Sequence, residues 1–173
     1  FLGVDFVGDG QDTIDVGSGL GLTFGGEGDD IINTSEGLAS IVFGGTGSDQ
    51  IIGAKVNSII FGDDLVPETA PSRACAACDD TIRASEGSLG NILIGGEGDD
   101  EVTGGGRWDF IVGDGIIFDF SSVGKIGLNL ENLNLQAPVA LRTFGNGSDT
   151  LDGNNSTGFD LSTKGVDVII GGE

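Results

Sequence analysis

The chain has 173 residues and a formal net charge of −21, from 28 acidic and seven basic side chains and no histidine. That balance disfavours nucleic acid and anionic membrane surfaces and favours cations. Without histidine there is no Ser-His-Asp or Cys-His pairing, no apolar run reaches the ~20 residues of a membrane span, and no secretory leader is recognisable.

This length predicts one domain over residues 1–173. So lopsided a charge often accompanies disorder, but hydrophobic residues make up 38% of the chain and recur at regular intervals. Glycine is abundant, at 34 residues, without a G-X-Y period, so it marks turns. Residues 7–14, VGDGQDTI, place Asp12 two residues before Ile14. Residues 24–32, FGGEGDDII, repeat the phrase with Gly26, Gly28 and Asp30, and residues 43–51, FGGTGSDQI, repeat it with Gly45, Gly47 and Asp49. Asp30 follows Asp12 by 18 residues and Asp49 follows Asp30 by 19. Such a period marks a stack of repeats in which each unit buries its apolar face against the next.

Phe61-Gly62-Asp63 then opens a turn that resumes only at Asp79-Asp80-Thr81-Ile82, with an insertion at about 64–78 that holds Cys75 and Cys78. Residues 94–102, IGGEGDDEV, restore the phrase with Gly96, Gly98 and Asp100. Val112-Gly113-Asp114 opens a second interrupted turn, closed by Asp149-Thr150-Leu151, with an insertion at about 115–144. Alternation in Ile116-Phe118-Phe120 and Ile126-Leu128-Leu130 predicts a β-hairpin within it. The stretch 152–164 has no assigned place. Both ends fall inside the repeat pattern, so the chain is expected to be an excerpt of a longer array with its targeting signals elsewhere.

Each period carries two apolar segments. One follows the Asp, at Ile14, Ile32, Ile51, Ile82, Val102 and Leu151. The other precedes the glycines, at Leu22/Phe24, Ile41/Phe43, Ile59/Phe61, Ile92/Ile94, Phe110/Val112 and Val168/Ile170. Alternation predicts strands with one face buried, and glycine interrupts every run before a helical period can build. The expectation is an all-β chain, a parallel β-roll or β-helix solenoid of about six to seven turns with two inserted loops or hairpins. These two sets of residues are expected to face each other across a narrow core. The opposite, far edge lacks the Asp phrase. Glu36 and Glu86 there read either as solvated turn residues or as extra cation ligands.

Stacked in register, Asp12, Asp30, Asp49, Asp80, Asp100 and Asp149 form a ladder along one edge. Carboxylates ~5 Å apart repel by ~3 kcal/mol per neighbouring pair at an effective dielectric near 20, and a divalent cation between them reverses the sign. Glycine turns also leave backbone carbonyls open, and hard cations take six to eight such oxygens. The competing explanation is that the Asp side chains cap turns by accepting backbone N–H groups. The GGxGxD phrase with an apolar residue behind it resembles the hemolysin-type calcium-binding (RTX) repeat family. That resemblance implies a right-handed parallel β-roll with Ca²⁺ held between neighbouring loops by the motif Asp and backbone carbonyls. Carried onto this chain, it assigns the six ladder Asp residues and the carbonyls of Gly26, Gly28, Gly45, Gly47, Gly96 and Gly98 as ligands, with Asp63 and Asp114 as weaker candidates. Asp29, Asp79 and Asp99 are expected to face solvent. RTX rolls usually carry the phrase on both edges; one edge here implies a single file of cations.

With no His and no further Cys, Cys75 and Cys78 cannot close a four-ligand zinc site within this chain. A disulfide within the inserted loop is expected, a bridge to another chain being the alternative, and either fits an oxidising, extracellular location. The sequons at Asn33, Asn146, Asn154 and Asn155 fit it as well. Arg107 with Asp109 is the nearest approach to a catalytic site, against an exposed salt-bridged turn, and Trp108 reads as far-edge packing rather than a glycan platform. The expected function is structural and non-enzymatic: a Ca²⁺-binding segment of a secreted or surface-attached adhesin, filament, sheath or matrix component. Its partners would be calcium ions, neighbouring repeats, and other copies or extracellular glycans, with no nucleic acid and no membrane insertion. The alternative is a Ca²⁺-dependent polysaccharide-active enzyme or its carbohydrate-binding accessory module.

Overall fold

The computed structural model describes residues 2–6, 9–63, 78–105, 107–118, 141–144, 148–153 and 168–171. Among these residues the secondary structure is all strand, with no helix. The elements are β1 (Leu2–Phe6), β2 (Thr13–Asp15), β3 (Leu20–Glu27), β4 (Ile31–Asn33), β5 (Ala39–Thr46), β6 (Gln50–Ile52) and β7 (Asn57–Phe61). They continue with β8 (Thr81–Arg83), β9 (Gly90–Gly96), β10 (Glu101–Thr103), β11 (Asp109–Phe118), β12 (Leu141–Phe144), β13 (Thr150–Asp152) and β14 (Val168–Ile170).

The chain alternates between two sheets. β1, β3, β5, β7, β9 and β11 lie side by side in one, with β14 parallel to the first half of β11 and β12 antiparallel to its second half. β2, β4, β6, β8, β10 and β13 form the other, and all its pairings are parallel. Each long strand therefore pairs with the long strand one repeat away, and each short strand does the same. The 18-to-20-residue period of the sequence becomes one strand spacing, ~4.8 Å.

The residue two places after each Asp turns inward. Ile14, Ile32, Ile51, Ile82, Val102 and Leu151 are register partners down the second sheet; the first five belong to the main apolar core and the half-buried Leu151 packs against it. Burying an Ile of this kind contributes ~1.5–3 kcal/mol.

The opposing ladder differs from expectation by one residue. Val42, Ile60, Leu93 and Ile111 are fully buried, with Thr23 at the same register, and they face the Ile column. Leu22/Phe24, Ile41/Phe43 and their partners lie on the outer face of the first sheet instead. The runs IVF, IIF, ILI and FIV place three apolar residues in succession, so alternation alone cannot choose a face. The choice is made at the glycine edge: Gly25, Gly44, Gly62 and Gly95 point inward to receive an Asp carboxylate, and period 2 then turns Thr23, Val42, Ile60 and Leu93 inward with them.

Both insertions enter at one seam. Asp63 Oδ2 accepts the Glu97 N–H at 2.5 Å, and the Cys78 carbonyl lies under Gly98 as the Gly28 carbonyl lies under Gly47. Cys78 thus belongs to the repeat, at the third-glycine place, and the insertion takes the place of the solvent-facing residue that is Glu27 or Thr46 elsewhere. Asp114 likewise pairs with Gly96, and the chain rejoins at Ser148, whose N–H donates to Asp99 Oδ1 at 2.7 Å. Ile116 and Phe118 enter an antiparallel pairing, but with Thr143 and Leu141 of β12; residues 126–130 lie outside the described residues.

Candidate functional site

The ladder is built by side chain-to-backbone rungs. Oδ1 of Asp30 accepts the Asp12 N–H, Asp49 that of Asp30, Asp80 that of Asp49 and Asp100 that of Asp80, each at 2.8 Å. Asp149 completes it, accepting the Asp100 N–H at 3.1 Å. All six predicted ladder residues are thereby brought into one column, in which the five from Asp30 to Asp149 each cap the preceding repeat.

The second oxygen does something else. Oδ2 of Asp30, Asp49, Asp80, Asp100 and Asp149 folds back against the first glycine of its own turn: Gly25, Gly44, Gly62, Gly95 and Gly113. A Cβ on any of these would collide with that oxygen and, at the first four, with the carbonyl oxygen of the neighbouring glycine as well. The first glycine is required by this contact and not by its backbone angles. The second and third glycines follow the other rule, with Gly45 at φ 118° and Gly47 at φ 128°, where L side chains are strained.

Asp30, Asp49, Asp80 and Asp100 are almost wholly buried, and the Oδ2 atoms of Asp30, Asp80 and Asp100 accept no hydrogen bond. Burial pushes the Asp80 carboxyl up to about 9, opposed by the Asp49 N–H and reinforced by the Asp49, Asp63 and Asp100 carboxylates. Burial pushes Asp100 up to about 7, opposed by the Asp80 N–H and reinforced by Asp149, Asp63 and Asp79. Asp30 is raised by the same causes, burial first. Among the described residues, no positive side chain influences these three groups.

A second, exposed column runs beside the first. Asp29 Oδ1 accepts the Ser48 N–H, Ser48 Oγ that of Asp79, Asp79 Oδ1 that of Asp99 and Asp99 Oδ1 that of Ser148, at 2.7–3.2 Å. Asp29, Asp79 and Asp99 are exposed, as their place in the phrase suggested. Asp63 and Asp114 stand in register with the second glycines, beside the ladder and not within it. Glu36 is exposed and paired with Lys55 at 2.8 Å. Cys78 is buried and disulfide-bonded; Cys75 lies outside the described residues.

The far edge carries a second column of inward side chains that the glycine phrase does not mark. Gly53 and Ser58, and Gly104 and Asp109, are five residues apart, the same spacing as Gly44 and Asp49. Ser58 Oγ and Asp109 Oδ2 fold back against their glycines just as the ladder carboxylates do. Ser40, Ser58, Asn91 and Asp109 are register partners and are all buried. Asn91 Oδ1 accepts the Ser58 N–H at 3.0 Å, the same rung as on the glycine edge but made by a neutral side chain. Asp109 accepts from Asn91 Nδ2 at 2.6 Å and from the Gly105 N–H at 3.1 Å. It is turned into the interior while Arg107 is exposed. Trp108 lies over Gly90 and is half exposed.

No protein-family model matches the chain, and no curated protein or solved structure matches it.

Proposed function

We propose that the chain is a calcium-binding structural segment of a secreted or surface-attached protein, its two sheets closing into a right-handed parallel β-roll of the RTX kind. One observation carries this proposal: a row of buried carboxylates at one edge, three of them with an oxygen that accepts no hydrogen bond, and with no cation among the described residues that influence them. The neutral rung on the far edge sharpens it. Asn91 caps a neighbouring strand without a charge, so capping does not explain why the glycine edge uses Asp at every step. Buried charge costs several kcal/mol unless something compensates it.

The donor set is all oxygen, which suits a hard cation. Among the described residues no three acidic or sulfur ligands gather at one point. An ion here would therefore take one or two ladder carboxylates and complete its shell from backbone carbonyls and water. Ca²⁺ tolerates such an irregular shell, whereas Mg²⁺ demands a near-ideal octahedron. When bound, the ion supplies the positive charge between repeats. The chain's own residues hold the strands in register and keep water from the carboxylates. The role is mechanical, not catalytic: calcium uptake outside the cell stiffens the array, because metal binding contributes folding free energy directly.

The deciding experiment is far-UV circular dichroism through a Ca²⁺ titration, with chelator as baseline and Mg²⁺ as control. A coil-to-β transition specific to Ca²⁺ is expected. A spectrum already β-rich in chelator at neutral pH and unmoved by Ca²⁺ would reduce the ladder to turn caps.

A further inference from the structure

The second place of the glycine turn is not always glycine. It is Gly26, Gly45 and Gly96 in three turns, but Asp63 and Asp114 in the two interrupted ones. Asp63 is half-buried. Its carboxylate occupies the place that a Cβ on Gly96 would take, and its Oδ2 accepts the Glu97 N–H. The first interrupted turn therefore brings a second carboxylate to the buried edge, where the turns at Gly25 and Gly44 bring one.

The ladder supplies oxygens at the same turn. Asp80 Oδ2 lies against Gly62, the residue before Asp63, and the Gly95 carbonyl oxygen lies against Gly62 as well. Asp80 is 1% exposed, and this Oδ2 accepts no hydrogen bond. One repeat on, Asp100 Oδ2 and the Gly113 carbonyl oxygen meet in the same way at Gly95. The charge of Asp63 reaches both Asp80 and Asp100, raising the pKa of each. At Gly25 and Gly44 a ladder oxygen and a neighbouring carbonyl also meet, but the second place beside them is glycine. Affinity for Ca²⁺ is tuned by the number of charged ligands and the rigidity of the site. Both are greater at the seam: one more carboxylate, on paired backbone.

We propose that the tightest Ca²⁺ site of the array lies at the first insertion seam, where Asp63 and Asp80 bind one ion together with the Gly95 carbonyl. The inference rests on the calcium reading given above and goes further in making Asp63, outside the repeat phrase, a principal ligand.

The test is calorimetric Ca²⁺ titration of the full 173-residue chain and its variants at neutral pH. Asp63→Asn keeps an oxygen for the Glu97 N–H and removes the charge. It should raise the dissociation constant of the tightest site about tenfold or more, the scale of a lost partner at a metal site. Asp79→Asn, an exposed neighbour that also acts on Asp100, is the control for general charge and should have a much smaller effect. Because one ion is shared, Asp63→Asn should add little further loss once Asp80→Asn is present. Circular dichroism in saturating Ca²⁺ should match the unsubstituted chain for each variant. An Asp63→Asn effect no larger than that of Asp79→Asn would overturn the proposal in favour of diffuse attraction. Additive losses in the double variant would assign the two acids to different ions and overturn it too. Loss of β signal in Asp63→Asn at saturating Ca²⁺ would make Asp63 a turn cap instead. An unsubstituted chain that takes up no Ca²⁺ would overturn the ladder reading along with this one, whereas the other adverse outcomes leave that reading standing.

Discussion

Substituting Gly44 by Ala tests whether the ladder has the geometry described. Gly44 has no positive φ, so its backbone accepts alanine without penalty and the whole effect is steric. The added Cβ would fall well inside 3.0 Å of both Asp49 Oδ2 and Gly62 O. The Gly62 carbonyl belongs to a paired backbone, accepting the Gly45 N–H, so the carboxylate is the freer of the two to move. Overpacking of this kind costs ~1–3 kcal/mol. Displacing the carboxylate also weakens its 2.8 Å bond from the Asp30 N–H, a charge-assisted contact contributing ~1.5–3 kcal/mol. Gly44→Ala should therefore destabilise by about 3–6 kcal/mol, measured by denaturant unfolding in saturating Ca²⁺ with an unchanged m-value. Gly17→Ala is the control: an added Cβ there meets nothing within 4 Å, so the change should stay within about 0.5 kcal/mol of neutral or stabilise slightly. Combining Gly44→Ala with Asp49→Ala should cost at least ~1 kcal/mol less than the two single changes added, because the collision partner is gone. Additive effects, or a Gly44→Ala cost below about 0.5 kcal/mol, would refute the fold-back of Asp49.

Three further outcomes follow from the same geometry. In chelator, stability should fall as pH rises: Asp80 and Asp100 are raised from 3.8 to about 9 and about 7, so the folded chain binds their protons more tightly than the unfolded one. That contribution is complete below pH ~4 and is lost as pH passes the two folded values; a folded fraction in chelator, read by far-UV circular dichroism, that climbs between pH 5 and 9 contradicts it. Asp80→Asn keeps an oxygen for the Asp49 N–H and removes the charge. It should raise the folded fraction in chelator at pH 9, read by far-UV circular dichroism, and raise tenfold or more the Ca²⁺ needed for half-folding; a lower folded fraction in chelator together with unchanged Ca²⁺ dependence counts against a cation at this position. Ile82→Ala empties a fully buried position between Ile51 and Val102 and should cost ~2–5 kcal/mol, whereas Ile31→Ala, 47% exposed on the outer face of the same sheet, should cost less than ~1 kcal/mol.

The sequence made one sheet legible and left the other ambiguous. Short strands such as TID, IIN and TIR hold a single inward residue fixed by its distance from the Asp, so the Ile14-to-Leu151 column could be read directly. The long strands could not be phased, because Ile41-Val42-Phe43 and Ile59-Ile60-Phe61 are apolar at both parities. Their inward polar residues, Thr23, Ser40, Ser58 and Asn91, argued for the wrong face. The five-residue Gly-to-Asp spacing was present in the chain and settles the parity once Asp is known to fold under its glycine. The insertion seam was half legible: Asp63 and Asp114 open the interrupted turns as expected, but Cys78 returns the chain to register, which only its stacking under Gly98 reveals.

The two edges are built by one rule and differ in charge. On both, a side chain five residues after an inward glycine folds beneath it, at Gly44–Asp49 on one edge and at Gly53–Ser58 on the other. On both, rungs run from a buried side chain of the column to the backbone of the neighbouring repeat, from Asp80 on one edge and Asn91 on the other. Neutral residues suffice on the far edge except at Asp109, whose carboxylate is met by Asn91 and Gly105 donors. The glycine edge instead repeats an acid that burial drives towards its protonated form. Stability without a ligand would favour asparagine there. On the function proposed above, acids placed on one edge only would make an array that holds together when a cation arrives and loosens when it is withdrawn.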